Sequence, residues 1–189
     1  MIDVAKKILS SPKQFFKTIE KEKGIKKAFK FLAFFLAIFL VLNATVSIIL
    51  GNNGNLPSQL TFIPFWQLVI LVSALIYVAS LLYSFLGAGI IYVWLKIFKG
   101  KRSYNDAYKL NTYSKLPIYL FGWIPFVGWL AWIYAFVLLV IGTKEFYKFS
   151  TTKAVLIYLI PMLIIMLILV LLIVLLLFAG LSGGYAGGF

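Results

Sequence analysis

The sequence contains no cysteine and no histidine, and only five of its 189 residues are acidic. These absences exclude disulfide bonds, thiol nucleophiles, imidazole bases and the usual zinc and haem ligands. Each of the five carboxylates lies in a lysine-bearing segment and none lies inside an apolar run; they are Asp3, Glu20, Glu22, Asp106 and Glu145. We therefore expect a protein that is not an enzyme and that binds no metal and no other cofactor.

Apolar side chains and positive charge are abundant instead. Hydrophobic residues make up 63% of the chain, the mean hydropathy is +1.02 and the formal net charge is +13. All charged residues fall in three blocks, at residues 1–30, 96–115 and 144–153. Basic loops of membrane proteins stay in the cytoplasm, so we expect all three blocks and the N-terminus inside. Such blocks beside a membrane favour anionic lipid headgroups as partners and do not indicate nucleic acid.

The apolar runs predict an all-α integral membrane protein with five transmembrane helices, since about 20 apolar residues cross a bilayer. The predicted spans are about 28–50, 64–98, 105–121, 126–142 and 154–179, and together they form one membrane domain over residues 28–179. An uncharged loop follows the first span, and a glycine-rich tail at 180–189 follows the last. We expect both on the outer side and the tail to be flexible.

Gly122, Pro125 and Gly128 predict a short hairpin between the third and fourth spans, because proline and glycine favour turns. The alternative is a single span over 116–142, which would place the basic block 144–153 outside. The hairpin keeps this block in the cytoplasm with the other two, and we prefer it for that reason. Five spans then put the C-terminus outside.

Residues 1–27 predict a cytoplasmic, basic, amphipathic segment with a helix that begins after Ser11 at Pro12. Apolar and basic side chains alternate around this helix, as in helices that lie in the headgroup layer. The residues predicted to contact lipid are Lys13, Phe15, Phe16, Lys17 and Lys21. The alternative is a solvated helix whose apolar face packs on the rest of the protein.

Small side chains form a stripe in each of the first two spans, and such stripes let helices approach closely. The predicted helix-packing residues are Ala33, Ala37 and Ala44 in the first span and Ser80, Ser84 and Ala88 in the second. We expect the two stripes to face each other. Such stripes serve helix packing either within one chain or between chains, so the sequence leaves both a monomer and an oligomer as alternatives.

Ser103 and Asp106 have the spacing of a capping box and predict a helix that runs towards Pro117. This segment lies on the cytoplasmic side in the predicted topology. The residues predicted to contact a partner protein are Lys101, Arg102, Tyr104, Asp106 and Tyr108. For Asp106 we prefer a plainer role in capping the helix and complementing its dipole.

Three landmarks together resemble the Yip family of membrane proteins. They are Ser11-Pro12 with Phe15-Phe16 and Glu22-Lys23-Gly24; the helix with Ala107, Tyr113-Ser114 and Pro117; and Gly122 to Gly128 followed by Ile141-Gly142, Ser150-Thr151 and Lys153-Ala154. The resemblance covers nearly the whole chain and implies five spans with a cytoplasmic N-terminus. In eukaryotic members, which also carry a long cytoplasmic N-terminal region, it implies recruitment of prenylated small GTPases. Only about 27 residues precede the first span here, so we expect a bacterial or archaeal member in the cell membrane, without that partner.

These features favour a non-enzymatic membrane protein that organises lipid or recruits an unidentified partner protein at a basic cytoplasmic face. The alternative is a transporter or channel component for a neutral or small solute. Ion and proton pathways usually need ionisable groups at membrane depth, and we expect none at that depth, because Lys109 and Lys115 of the third span should extend to the interface.

Overall fold

The computed structural model describes the backbone of residues 1–50 and 63–183 and the side chains as far as residue 178. All elements in this part of the chain are α-helices. They are α1 (Ile2–Ser10), α2 (Pro12–Ile19), α3 (Lys26–Ile49), α4 (Phe65–Ile97), α5 (Tyr104–Ser114), α6 (Leu116–Phe121), α7 (Val127–Tyr147) and α8 (Thr151–Gly183). The chain divides into two compact units, Met1–Phe149 and Ser150–Phe189.

Four of the described helices are long and apolar enough to cross a membrane: Lys26–Ile49, Phe65–Ile97, Val127–Tyr147 and Thr151–Phe178. At 1.5 Å per residue the 24 residues of α3 extend about 36 Å, which exceeds the hydrocarbon thickness of about 30 Å. The 33 residues of α4 extend about 50 Å. α4 is therefore longer than the bilayer needs, as its sequence predicts.

The third predicted span is divided at Lys115 into α5 and α6, and neither piece alone is long enough to cross a bilayer. Pro117 lies at the start of α6, where its missing N–H costs no helical hydrogen bond. The chain then turns between Phe121 and Val127, and α7 packs against both α5 and α6. A single helix over 116–142 is therefore excluded.

α5 is the centre of the first unit, because it contacts α3, α4, α6 and α7. All residues from Ala107 to Ser114 are buried, although half of them are polar or charged. α1 and α2 do not stand apart from this core, since α2 packs along α7.

The second unit is α8, which continues through Pro161 as far as Gly183. The tail predicted at 180–189 is thus helical in its first four residues, and residues 184–189 lie outside the described part. The predicted outer loop after α3 also lies largely outside it.

Candidate cytoplasmic contact face

Glu20, at the end of α2, joins the three charged blocks of the sequence. One carboxylate oxygen accepts a hydrogen bond from the Arg102 guanidinium, and Lys148 Nζ lies 3.2 Å from the other oxygen. Arg102 Nε also donates to the carbonyl of Phe146 at 2.7 Å. The hydrogen bond from Arg102, helped by Lys148, holds the pKa of Glu20 below its ordinary value against the opposing effect of burial. The ends of α2 and α7 and the start of α5 therefore meet on one face.

Lys109 of α5 also contacts the end of α2, from inside the protein. Its side chain is only 2% exposed. Its Nζ donates to the carbonyls of Ile19 at 3.2 Å and Glu22 at 2.9 Å, and lies 2.8 Å from a carboxylate oxygen of Asp106. The ammonium also lies 5.7 Å from the ring centre of Phe146. The Lys109 charge therefore ends beside the carbonyls near the end of α2 and does not reach solvent. Its extension to the membrane interface stays a prediction.

The rings of Phe15 and Phe16 lie in the protein interior. Phe15 packs edge-on against Tyr113 with ring centres 5.1 Å apart, and Phe16 packs against Phe146 at 5.7 Å. Phe16 is fully buried, and Gly142 leaves the space that its ring edge fills. In this structure both rings are protein contacts, not lipid contacts, which corrects the prediction made from the amphipathic pattern and agrees with the packed-helix alternative.

The lysines of the predicted lipid-contact set point outward. Lys13, Lys17 and Lys21 are all exposed. Lys17 Nζ lies 3.9 Å from Glu145, with its side chain 63% exposed. Lipid contact stays a prediction for these three lysines.

The predicted partner-contact residues are divided between the surface and the core. Lys101 is exposed, Arg102 is held by Glu20, and Tyr104 donates to the carbonyl of Phe85 at 2.8 Å. Asp106 has the capping role: its N–H donates to the hydroxyl of Ser103, which is also 3.0 Å from its carboxylate. Tyr108 is fully buried, which corrects its assignment to a partner surface.

Tyr108 instead joins α5 to α4. Its hydroxyl lies 3.0 Å from that of Ser84, and Asn111 donates to the Ser84 carbonyl at 3.4 Å. Gly87 packs beside Asn111, and Ala88 is fully buried. The small-residue stripe of α4 thus packs on α5 at Ser84, where we expected α3.

α3 packs against the first half of α4 instead. The Ala33 carbonyl accepts a hydrogen bond from Tyr77 at 3.3 Å, and Ala37 and Ala44 line a groove shared with Ser73 and Ala74 of α4. Ser80 of the predicted set is half-buried.

Asn43 also lies in a groove between α3 and α4. Its side chain donates to the Phe39 carbonyl of its own helix, 3.1 Å away. This hydrogen bond does not indicate a solute pathway.

The turn between α6 and α7 carries exposed aromatic rings. Phe126 is 90% exposed and Trp129 is 79% exposed. Phe126 has φ 63° and ψ −45°, and Val127 N–H donates to the Pro125 carbonyl at 2.8 Å, which is the strained γ-turn. Gly122 and Gly128 pack together: a Cβ on Gly128 would lie 3.1 Å from the Gly122 carbonyl oxygen.

Among the described residues no three or more histidine, cysteine, aspartate or glutamate side chains are grouped so as to hold a metal ion.

The sequence predicts the charged blocks but not that Lys109 binds the end of α2 from inside the protein. The available signal was Asp106 three residues earlier on the same helix face.

Comparison with known proteins agrees with the resemblance seen in the sequence. No curated protein and no solved structure matches the chain. A family model described as the Yip1 domain matches residues 6–185. This match includes the α2 segment, the central helix α5 and the hairpin between α6 and α7, and the apolar helices agree with an integral membrane protein. The chain therefore belongs to the Yip1 domain family.

Proposed function

We propose that this protein is a non-enzymatic membrane protein that organises anionic lipid, or recruits a partner protein, at its basic cytoplasmic face. The face is defined by the exposed lysines of α1, α2 and the start of α3, together with Lys99 and Lys101. Its setting is the cell membrane of a bacterium or archaeon.

The proposed topology has five crossings, with the N-terminus inside and the C-terminus outside. α5 and α6 together form the short third crossing and α7 the fourth. The contacts of Glu20 with Arg102 and Lys148 support this arrangement, because they bring the end of α7 to the level of α2. The positive-inside bias then assigns that level to the cytoplasm.

The observation that carries this proposal is that acidic side chains on this face form ion pairs within the protein. Glu20, Glu22, Asp106 and Glu145 all form ion pairs within the protein. The exposed lysines beyond those pairs therefore form a surplus of positive charge. Each lysine near an anionic membrane surface contributes about 1 kcal/mol to lipid attraction.

The test exploits the absence of cysteine. A donor dye is attached to Ser10→Cys in the full chain, and the protein is reconstituted with acceptor-labelled phosphatidylglycerol or phosphatidylcholine. We expect energy transfer above random mixing for phosphatidylglycerol alone. Replacing Lys13 and Lys21, which lie outside the ion pairs that the described residues form, with Gln reduces the excess, whereas the matched replacement with Arg retains it. Equal transfer to both lipids would overturn the lipid part of the proposal.

A further inference from the structure

A small cavity of about 190 Å³ lies between α1, α2, α3 and α5. Its apolar wall includes the buried side chains of Phe15, Ile19, Phe31 and Tyr113. Val4 of α1 also lines the cavity. The rings of Phe31 and Tyr113 in this wall offer an aromatic surface on which hydrocarbon can pack.

The rim of this cavity is charged. Glu22, Lys27 and Lys30 line it. Lys27 Nζ lies 3.0 Å from Glu22, and its side chain is 77% exposed. Lys30 is also exposed and has no ion pair within residues 1–50 and 63–178. These three side chains together carry one net positive charge, which complements a single phosphate diester.

The rim also lies where the charged N-terminal segment meets the apolar run of the first candidate span. Lys27 and Lys30 are three residues apart in the first turns of α3, so they share one face of that helix. The apolar run of the first candidate span begins in the same turns. Lysines at such a position place their charge in the headgroup layer while their stems remain beside hydrocarbon.

We propose that this cavity is a binding site for one anionic phospholipid. The phosphate is held by Lys30 and Lys27, and the glycerol and the first part of an acyl chain pack on Phe31 and Tyr113. The inference rests on the proposed function and adds to it a defined site, distinct from the lysines of α2. The Glu22 carboxylate, which competes for Lys27, weakens the attraction for the phosphate.

The test measures binding of dioleoylphosphatidylglycerol to the full chain in neutral detergent by native mass spectrometry. We expect one retained lipid per chain. Replacing Lys27 and Lys30 with Gln weakens this binding about fivefold for each lysine, the value expected for a charge near the surface. Glu22→Gln strengthens it, and Val4→Phe, which fills the cavity without a change of charge, abolishes it.

The matched control is the double replacement of Lys99 and Lys101 with Gln, which removes the same charge away from the cavity. An equal loss in this control, or unchanged binding in the Val4→Phe variant, would overturn the site. Competition by soluble glycerol phosphate would show a free-phosphate site and also overturn it. The two proposals can fail separately. If vesicles show excess energy transfer to phosphatidylglycerol but the cavity variants bind lipid as the wild type does, only the site is wrong. If vesicles show no such excess, the proposed function is wrong.

Discussion

At the scale of single residues, Lys109 shows how a charge can be stabilised in the protein interior. It is surrounded by two backbone carbonyls and the Asp106 carboxylate. Removal of one partner from a buried, hydrogen-bonded charge cluster is costly because the remaining groups lose their compensation. The side chain thus holds the end of α2 against α5.

We predict that Lys109→Met destabilises the protein by about 3 kcal/mol and loosens the N-terminal helices first. The measurement is hydrogen exchange of the amides of residues 12–25 in detergent, which should speed up. Lys101→Met, at an exposed lysine on the same side, is the control and should leave exchange unchanged. Equal protection in both variants would contradict the proposed role of Lys109.

Gly142 has no room for a side chain. A Cβ at this position would meet Leu110 Cδ1 and, at 2.9 Å, Phe16 Cε1, and both residues are fully buried. Gly142→Val should therefore destabilise the protein by about 1–3 kcal/mol through overpacking. Thermal unfolding in detergent checks this, with Gly89→Val as the control, since the nearest atom to a Cβ there lies 4.0 Å away.

Phe126 combines a strained backbone with a side chain that makes little contact with the protein. Its φ of 63° disfavours a residue with a Cβ, and its ring is 90% exposed. We expect Phe126→Gly to stabilise the protein by about 1 kcal/mol. A higher unfolding midpoint in detergent is the expected result, whereas Val127→Gly should lower it because it weakens the start of α7. A fall for both variants would contradict the strain at Phe126.

At the scale of elements, the contact between α2 and α7 depends on pH through Glu20. Because its folded pKa is lowered, the carboxylate contributes stability fully above its unfolded value of about 4.3. That contribution is lost as the pH falls through the lower folded value. The wild-type protein should therefore exceed Glu20→Gln in unfolding midpoint at pH 6, and the difference should shrink on acidification and vanish below the lowered folded pKa. A difference that stays constant with pH would contradict this prediction.

The sequence predicts the helix starts and the turn better than it predicts which face of each helix meets protein. Pro12 and the Ser103–Asp106 capping box are local signals, and α2 and α5 begin there as expected. The apolar face of α2 is different, because the rings of Phe15 and Phe16 avoid water equally when they pack on lipid or on other aromatic rings. The choice depends on Tyr113 and Phe146, which are distant in sequence, so periodicity alone could not make it.

At the scale of the whole molecule, the decisive prediction concerns topology. Ser150→Cys and, separately, Ser10→Cys should resist a membrane-impermeant maleimide in intact cells until lysis. Ser58→Cys, in the predicted outer loop, should be labelled. Labelling at position 150 before lysis would contradict the hairpin topology and place the end of α7 outside.

The charged blocks predict one shared face from sequence alone, but their mutual pairing required the structure. Glu20 and Lys148 are separated by 128 positions, and no local pattern relates them. The same applies to Lys109, whose acceptor carbonyls lie 87 and 90 positions earlier in the chain. Polar residues that meet over long sequence distances follow no periodic pattern. The amphipathic pattern of α2 likewise does not identify the residues against which the helix packs.

The distance in sequence between α2 and its binding site has a consequence for synthesis. α2 leaves the ribosome first, whereas Phe146 and Lys148 follow about 128 residues later. At 5–20 residues per second, the segment waits about 6 to 26 s before the end of α7, against which Phe16 packs, has been made. During that interval α2 has no α7 surface to pack on, so its amphipathic face is available to the membrane surface. The folded protein later buries the aromatic side of the helix that the nascent chain exposes.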